Sequence, residues 1–359
     1  MKTSHFCFFT LAFLLILRLE SDAKPAGEVI GWGLNLSGEA TGVPTGYDAT
    51  TGTVMVAGHA LSNITAVSAE GGHSLGLASD GTVFGWGGNS GGTAIGITNE
   101  YPYRASGQVI VDGKALTGVK AIAAGRNHNL ALKDDGTVAT WGTLSSGKPI
   151  SVPSDLSNVV LVAAGEDGSL VLKNDGTVQG WDLQLPSRLK ATGEDLESQV
   201  SKGLTNIVAI AASPEYSGNN YALASDGTVK QWHNWHGSEL VNVAGLSNVT
   251  AIVAGPTYGL ALKNDGTVAG WGDESGATPV PVGLTNVIAL ATSGSSVPDN
   301  SFALALKNDG TLVAWGTINF HPVTVPAGLS NVVAIAAGPG YCLVVTTNSA
   351  VAEKFRQKQ

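Results

Sequence analysis

Three short stretches of the chain carry residue types that could do chemistry. Gly72-His73-Ser74-Leu75-Gly76 fits the G-x-S-x-G elbow, in which a strained strand-to-helix turn exposes a serine nucleophile. Gly142 to Lys148, GTLSSGK, resembles a phosphate-cradling loop until Pro149, which stands where that loop needs a magnesium-binding Ser or Thr. His233 and His236 form the one close histidine pair, and a metal there would need further ligands such as Asp273 or Glu215. Each motif weakens in its surroundings. The positions of His73 and Ser74 read His128 and Asn129 one repeat later, and no helical pattern follows Gly76, so the serine is a variable residue of a repeated strand. The GTLSSGK stretch reads as a loop between strands, and the two histidines as loop residues beside aromatics. No catalytic residue, metal or cofactor is therefore expected.

The elements around these motifs recur. The phrase LKNDGTVAGWG at Leu262 to Gly272 returns with small changes five more times, and in every copy a tryptophan follows the hairpin aspartate by the same interval. The pairs are Asp80 and Trp86, Asp135 and Trp141, Asp175 and Trp181, Asp226 and Trp232, Asp265 and Trp271, and Asp309 and Trp315. An apolar phrase of the type NVVAIAAG precedes each hairpin and occurs once more, at Asn331 to Gly338, where no Asp-Gly hairpin follows. The missing piece of that last repeat is the orphan EVIGWG near the front, with Trp32. Val, Ile and Thr in short runs bounded by glycine favour strands, and Asp-Gly between two such runs signals an antiparallel hairpin, through a type I′ turn or a G1 bulge.

Each repeat thus supplies strand A (VVAIAAG), strand B (LALK), strand C (TVxxWG) and a short strand D near Val152-Pro153, Val280-Pro281 and Val325-Pro326. Four strands and seven repeats of this size predict an all-β fold, a seven-bladed β-propeller, closed by Glu28 to Gly33 completing the last blade. An open solenoid is the alternative, but it leaves the lone front strand unexplained. The expected organisation is a secretory signal peptide over residues 1–23, a propeller over 24–347 and a tail over 348–359. The leader reading rests on the apolar run from Phe6 to Leu17 and the small residues Ser21 and Ala23; a retained membrane anchor is the alternative. Cys7 leaves with the leader, and Cys342 among Tyr341, Leu343 and Val344 reads as a buried thiol.

Composition bounds the partners. Glycine makes up 48 of 359 residues, nearly double the ~7% usual in soluble proteins, as many tight turns require. The net charge of −9 repels a phosphate backbone and argues against nucleic acid. Asn35-Leu36-Ser37, Asn63-Ile64-Thr65 and Asn248-Val249-Thr250 fit the N-glycosylation pattern, which matters only in a eukaryotic secretory host.

The AAGxxHxLALKxDGTVxxWG phrase resembles the repeat of the regulator of chromosome condensation family. With its VPxGLxNV connector it is similar to the bacterial secreted members, the propeller-type beta-lactamase inhibitor protein among them. The resemblance covers residues 27–347 and implies the propeller fold. Nuclear members bind chromatin and exchange guanine nucleotide on a small GTPase, which the leader and the acidic balance put in doubt here; the secreted members imply a protein-binding platform.

Alternation of strands puts the A–B and C–D loops on one face, here called upper, and the Asp-Gly hairpins on the other. The upper loops vary in length, at Ser213 to Asn220, Ser293 to Ser301, Leu34 to Ala60, Gly87 to Gly118 and Asp182 to Gly203, so binding is expected there. The first position of strand B reads His73, His128, Gly168, Asn219, Tyr258, Phe302 and Tyr341. The change from histidine to aromatics makes Tyr258, Phe302 and Tyr341 candidate contacts, joined by His73, His128 and the out-of-register Trp235; the alternative is that each fills its own blade end. Glu70, Glu166, Asp167, Glu215, Asp273, Glu274 and Asp299 would make the same face negative. The reading is a secreted, periplasmic or cell-surface propeller, monomeric and with no membrane span in the mature chain, that binds a protein and catalyses nothing. An extracellular carbohydrate-active enzyme with two upper-face carboxylates, or a structural surface module, are the alternatives.

Overall fold

The hairpin phrases set the local structure. In each, the glycine (Gly81, Gly136, Gly176, Gly227, Gly266, Gly310) has φ between 77° and 85°, and the two residues before it do not share the positive sign. A type I′ turn needs two positive φ values in succession, so the hairpin is the three-residue loop with a G1 bulge. The Lys173 carbonyl accepts from Gly176 N at 3.0 Å, and Asp175 Oδ1 accepts from Thr177 N at 2.9 Å. The aspartate is thus needed for its carboxylate, which holds the far side of the turn.

A second local signal starts strand A. Asn63, Asn158, Asn206, Asn248, Asn286 and Asn331 all sit at φ between 52° and 62°, a left-handed conformation that asparagine tolerates better than most side chains. Each presents its carbonyl to the N–H that ends strand B of the same blade, as in Asn174 N to Asn158 O at 2.9 Å. In all seven A–B pairs the register then shifts near the second residue of strand A, a repeated β-bulge that twists the blade.

The computed structural model describes residues 24–98, 104–181, 204–215, 218–233, 240–272, 279–293 and 301–356. They form seven antiparallel blades around an axis. Blade 1 pairs Ile64–Glu70, His73–Ala78, Val83–Gly88 and Arg104–Gln108 in that order, and the inner strands of blades 2 to 7 begin at Val119, Val159, Ile207, Val249, Val287 and Val332. Blade 7 joins the two ends of the chain: Val332–Gly338 and Tyr341–Thr346 are followed in the sheet by Glu28–Asn35 and then Gly46–Thr53. Glu28 lies opposite Thr346, and Gly33 opposite Tyr341. The ring is closed as expected, and Gly27 and Ile64 exchange both backbone hydrogen bonds, at 2.9 and 3.0 Å, to tie this blade to the first.

The apolar core lies between blades rather than within them. Leu75 and Leu77 of blade 1 pack with Ile122, Ala131 and Trp141 of blade 2, and Tyr258, Leu260 and Leu262 of blade 5 with Ala303, Ala305 and Trp315 of blade 6. The repeat tryptophans are buried except Trp271, which is half-buried, in line with their reading as packing residues. The C–D loop of blade 1 folds back on its own strand C closely enough to demand glycine: a Cβ on Gly85 would run into the Ala94 carbonyl, which explains the glycine before Trp86. Cys342 is a buried free thiol.

One expectation is corrected. The Val-Pro motifs do not form strand D: the carbonyls of Pro153, Pro281 and Pro326 accept from Leu156, Leu284 and Leu329, closing turns of the connectors instead. These prolines fall where the chain must turn back to the axis, past the point at which an edge strand could pair. Strand D is Arg104–Gln108 in blade 1, Val241–Asn242 in blade 4, His321–Pro322 in blade 6 and Gly46–Thr53 in blade 7. Within the tail, Ser349–Arg356 forms helix α1, capped by Asn348 Oδ1, which accepts from Ala350 N at 3.1 Å. Val351 and Phe355 of α1 pack with Ile30 and Val323, and Arg356 pairs with Glu28. Among the described residues no helix is long and apolar enough to cross a membrane. Residues 1–23, with the leader and Cys7, lie outside the described residues.

Candidate functional site: the upper face

The backbone identifies which loops share a face. Gly88 N donates to Gly72 O, Thr143 N to Asn127 O and Thr317 N to Ser301 O, so each C–D loop starts beside the A–B loop of its own blade. Part of the length variation nevertheless lies elsewhere. The stretches Leu34 to Ala60 and Gly87 to Gly118 each contain strand D and then a small hairpin, Met55–Val56 with His59–Ala60 and Ile110–Val111 with Lys114–Ala115, on the connector side.

The C–D loops of blades 7 and 1 are built alike. Asn35 Oδ1 accepts from Ala40 N and Thr41 N at 2.9 and 3.1 Å, and Asn89 Oδ1 accepts from Ala94 N and Ile95 N at 3.0 and 3.1 Å. Each loop then offers one carbonyl to the next blade. Glu39 O accepts from Trp86 Nε1 and Ser74 Oγ, both at 2.9 Å, and Thr93 O accepts from Trp141 Nε1 at 3.0 Å and Asn129 Nδ2 at 2.8 Å. Ser74 is thus a buried latch and not an exposed nucleophile. GTLSSGK is the C–D loop of blade 2, as its sequence indicates, with Leu144 N bonded to Lys148 O.

The candidate contacts at the start of strand B are corrected by their burial. Tyr258, Phe302, Tyr341, His73 and His128 are all buried, and the tyrosine hydroxyls and histidine Nε2 atoms meet the following blade. Tyr341 Oη donates to His73 O at 2.7 Å and Tyr258 Oη to Phe302 O at 3.2 Å. His128 Nε2 lies 3.2 Å from Ser169 Oγ. His73 Nε2 donates to Asn129 Oδ1 at 2.7 Å, because the Asn129 amide is already directed at Thr93 O. Phe302 packs beside Trp32 and Cys342. The physical reason is position: strand B is flanked by its own sheet and by the next blade, so its first side chain points into the seam. Burial, which disfavours the charged ring, pushes both histidines down to about 4. Trp235 lies outside the described residues, with His236, Asp273, Glu274 and Asp299.

Two features remain accessible on this face. The first is apolar. Phe320 is 76% exposed, Val43 50% and Ile97 44%, and they belong to the C–D loops of blades 6, 7 and 1, three neighbours in the ring. Phe320 caps the tight turn between Leu312–Ile318 and His321–Pro322, where Asn319 and Phe320 both have positive φ, 49° and 64°. A bulky residue in that region is strained, so the ring is held out at a cost. No composition or periodicity signal marks these residues; the matching spacing of Val43 and Ile97 after Asn35 and Asn89 could have found two of them.

The second feature is charged. Arg126 Nη1 bridges Glu166 at 3.1 Å and Glu215 at 3.4 Å, spanning the A–B loops of blades 2, 3 and 4. Glu70, at the end of strand A in blade 1, is 7% exposed, and burial pushes its carboxyl up to about 8. Asp167 is buried, and its Oδ1 accepts from Ser145 N at 2.6 Å. Glu166 and Glu215 share one guanidinium and are not a free acid–base pair. Among the described residues no group of three His, Cys, Asp or Glu could hold a metal ion.

Comparison with known proteins agrees with the ring. Residues 64–93 and 119–147 match the regulator of chromosome condensation (RCC1) repeat. The chain is 41% identical over 78 residues to the human probable E3 ubiquitin-protein ligase HERC6, a stretch that is 21% of this chain and 7% of that protein, so it spans a small part of that relative. The solved structure of Prp20p from Saccharomyces cerevisiae superposes with a TM-score of 0.65 at 18% identity, covering 94% of this chain and 95% of the other. The yeast RCC1 (Prp20) chain solved with Kap60 gives 0.69 at 17% identity, covering 100% and 97%.

Proposed function

Taking as premise that the chain is a seven-bladed propeller with regulator of chromosome condensation repeats, we propose that it is a non-catalytic, monomeric protein-binding platform that works outside the cytosol and engages its partner through the upper face. The observation that carries this reading is the run of exposed apolar side chains Phe320, Val43 and Ile97 on three successive blades, opposite a face closed by near-identical hairpins. Exposed aromatic and aliphatic groups on a rigid frame bury area at little entropic cost when a partner docks. The yeast relative is described by its binding to Gsp1p and histones, and by its complex with Kap60, which supports protein as the ligand class. Location outside the cytosol rests on the apolar leader ending at Ala23.

The test is site-specific photo-crosslinking in the extracellular fraction of the expressing cells. A photoreactive residue at position 320, 43 or 97 should trap the same protein, while one at Asp175 or Asp265 on the hairpin face should trap none. Equal yields from both faces, or none from the upper one, overturn the platform. A mature N-terminus at Lys24 checks the leader.

A further inference from the structure

The inner strands of all seven blades wall a cavity of about 170 Å³ along the axis. Its lining is almost wholly apolar, and among the described residues Glu70 is the one charged side chain on that wall. The carboxylate sits at the upper end. Its Oε1 accepts from Gly71 N at 3.1 Å, and its Oε2 accepts no hydrogen bond from any described residue. Arg126 acts on it only through space, its guanidinium being bonded to Glu166 and Glu215. A buried carboxyl that lines a cavity and has no cation in direct contact lacks the partner that its ionised form ordinarily requires.

We infer that the channel mouth receives one lysine side chain of the bound polypeptide, its ammonium on Glu70 Oε2 and its stem against Ala124, Ala164, Ala212 and Pro214. This rests on the upper-face platform and adds the chemistry of what enters it. Lysine fits better than arginine because a guanidinium's two-pronged contact would have to share Oε1 with Gly71 N, whereas an ammonium needs only the unshared Oε2. The apolar wall suits a four-carbon stem. A metal ion finds too few ligands there among the described residues. The charged and titratable groups facing Glu70 are Arg126, Glu166, Glu215 and Tyr341. Since burial holds the Glu70 carboxyl at about 8, the arriving cation displaces its proton.

The probe is n-butylammonium, the lysine side chain without its backbone, added to the full chain while the methyl signals of Ala124, Ala164 and Ala212 are followed by NMR. A saturable shift is expected, roughly tenfold tighter at pH 9 than at pH 7 as the ionised fraction rises from about a tenth to about nine tenths. It should vanish in Glu70→Gln, which keeps the acceptor for Gly71, and persist in Glu215→Gln. Binding of n-butanol or n-butylguanidinium as tight as that of n-butylammonium overturns the assignment, as does a signal that survives Glu70→Gln or is lost only in Glu215→Gln. No saturable signal in the wild type, with crosslinks from position 320 intact, overturns the lysine seat alone; loss of those crosslinks overturns the platform.

Discussion

The Tyr341 hydroxyl of the last blade donates at 2.7 Å to the backbone carbonyl of His73 in the first, across 268 positions of sequence. The same hydroxyl lies 3.1 Å from Ser74 Oγ, whose one proton goes to Glu39 O. One phenol therefore closes the ring at its upper seam and fills it at the same time. Tyr341→Phe keeps the packing and strands the buried His73 carbonyl, so it should lower stability by about 1–3 kcal/mol, read as a fall in Tm. Tyr341→Ala should cost about 3–5 kcal/mol, because the ring also leaves a cavity.

Stability should peak near pH 6.5. His73 and His128 are held at about 4, below the unfolded value near 6.5, so between those limits the unfolded chain binds more protons and stability rises with pH. Glu70 works the other way: held at about 8, it keeps its proton in the folded state after the unfolded chain has lost it, so stability falls as pH rises from about 4.5 to 8. Two rising contributions outweigh one falling contribution below pH 6.5, and Glu70 alone acts above it. Urea unfolding at several pH values should lose about 2 kcal/mol between pH 6.5 and 8, and Glu70→Gln should flatten that limb.

Helix α1 should behave as part of the ring. Phe355 is buried with Ile30, and Thr53 Oγ1 donates to Ala352 O at 3.0 Å. Phe355→Ala is expected to cost about 3–5 kcal/mol by thermal unfolding. Arg356→Ala, which removes only a surface ion pair with Glu28 and Glu353, should cost under about 1 kcal/mol.

Expressed through a glycosylating secretory route, the chain should carry sugar at Asn63 and Asn248 and none at Asn35. The first two are exposed. Asn35 is buried, and its Nδ2 donates to Thr41 Oγ1 at 2.9 Å and to Val43 O at 2.6 Å. Mass spectrometry of peptides after enzymatic deglycosylation reads each site.

The ring was legible because its information is local and repeated. Every hairpin carries the aspartate and glycine that its bulged turn needs, and the orphan strand with Trp32 could belong only to the last repeat. The candidate contacts were misread because exposure depends on the neighbouring blade, which no single repeat describes. Tyr258, Phe302 and Tyr341 vary in type because each meets a different partner across its seam, a carbonyl for Tyr258 and Tyr341 and a tryptophan and cysteine for Phe302. Phe320 went unseen for the opposite reason: nothing in Ile-Asn-Phe-His announces a turn with two left-handed residues. By sequence Glu70 reads as one more acidic loop residue, while its burial follows from seven strands converging on the axis.

The register that sets Glu28 opposite Thr346 brings the two ends of the blade array side by side within one sheet. A short linker could join them, and each exposed Asp-Gly hairpin offers a place to cut the chain again ahead of its glycine, whose carbonyl at Gly81, Gly176, Gly266 and Gly310 accepts from the next blade. Such circular permutants would keep every blade-to-blade contact while moving the ribosome's starting point around the ring. The propeller thus has an order of blades but no obligatory first one, and the present opening at blade 7 is one of seven ways to write the same object.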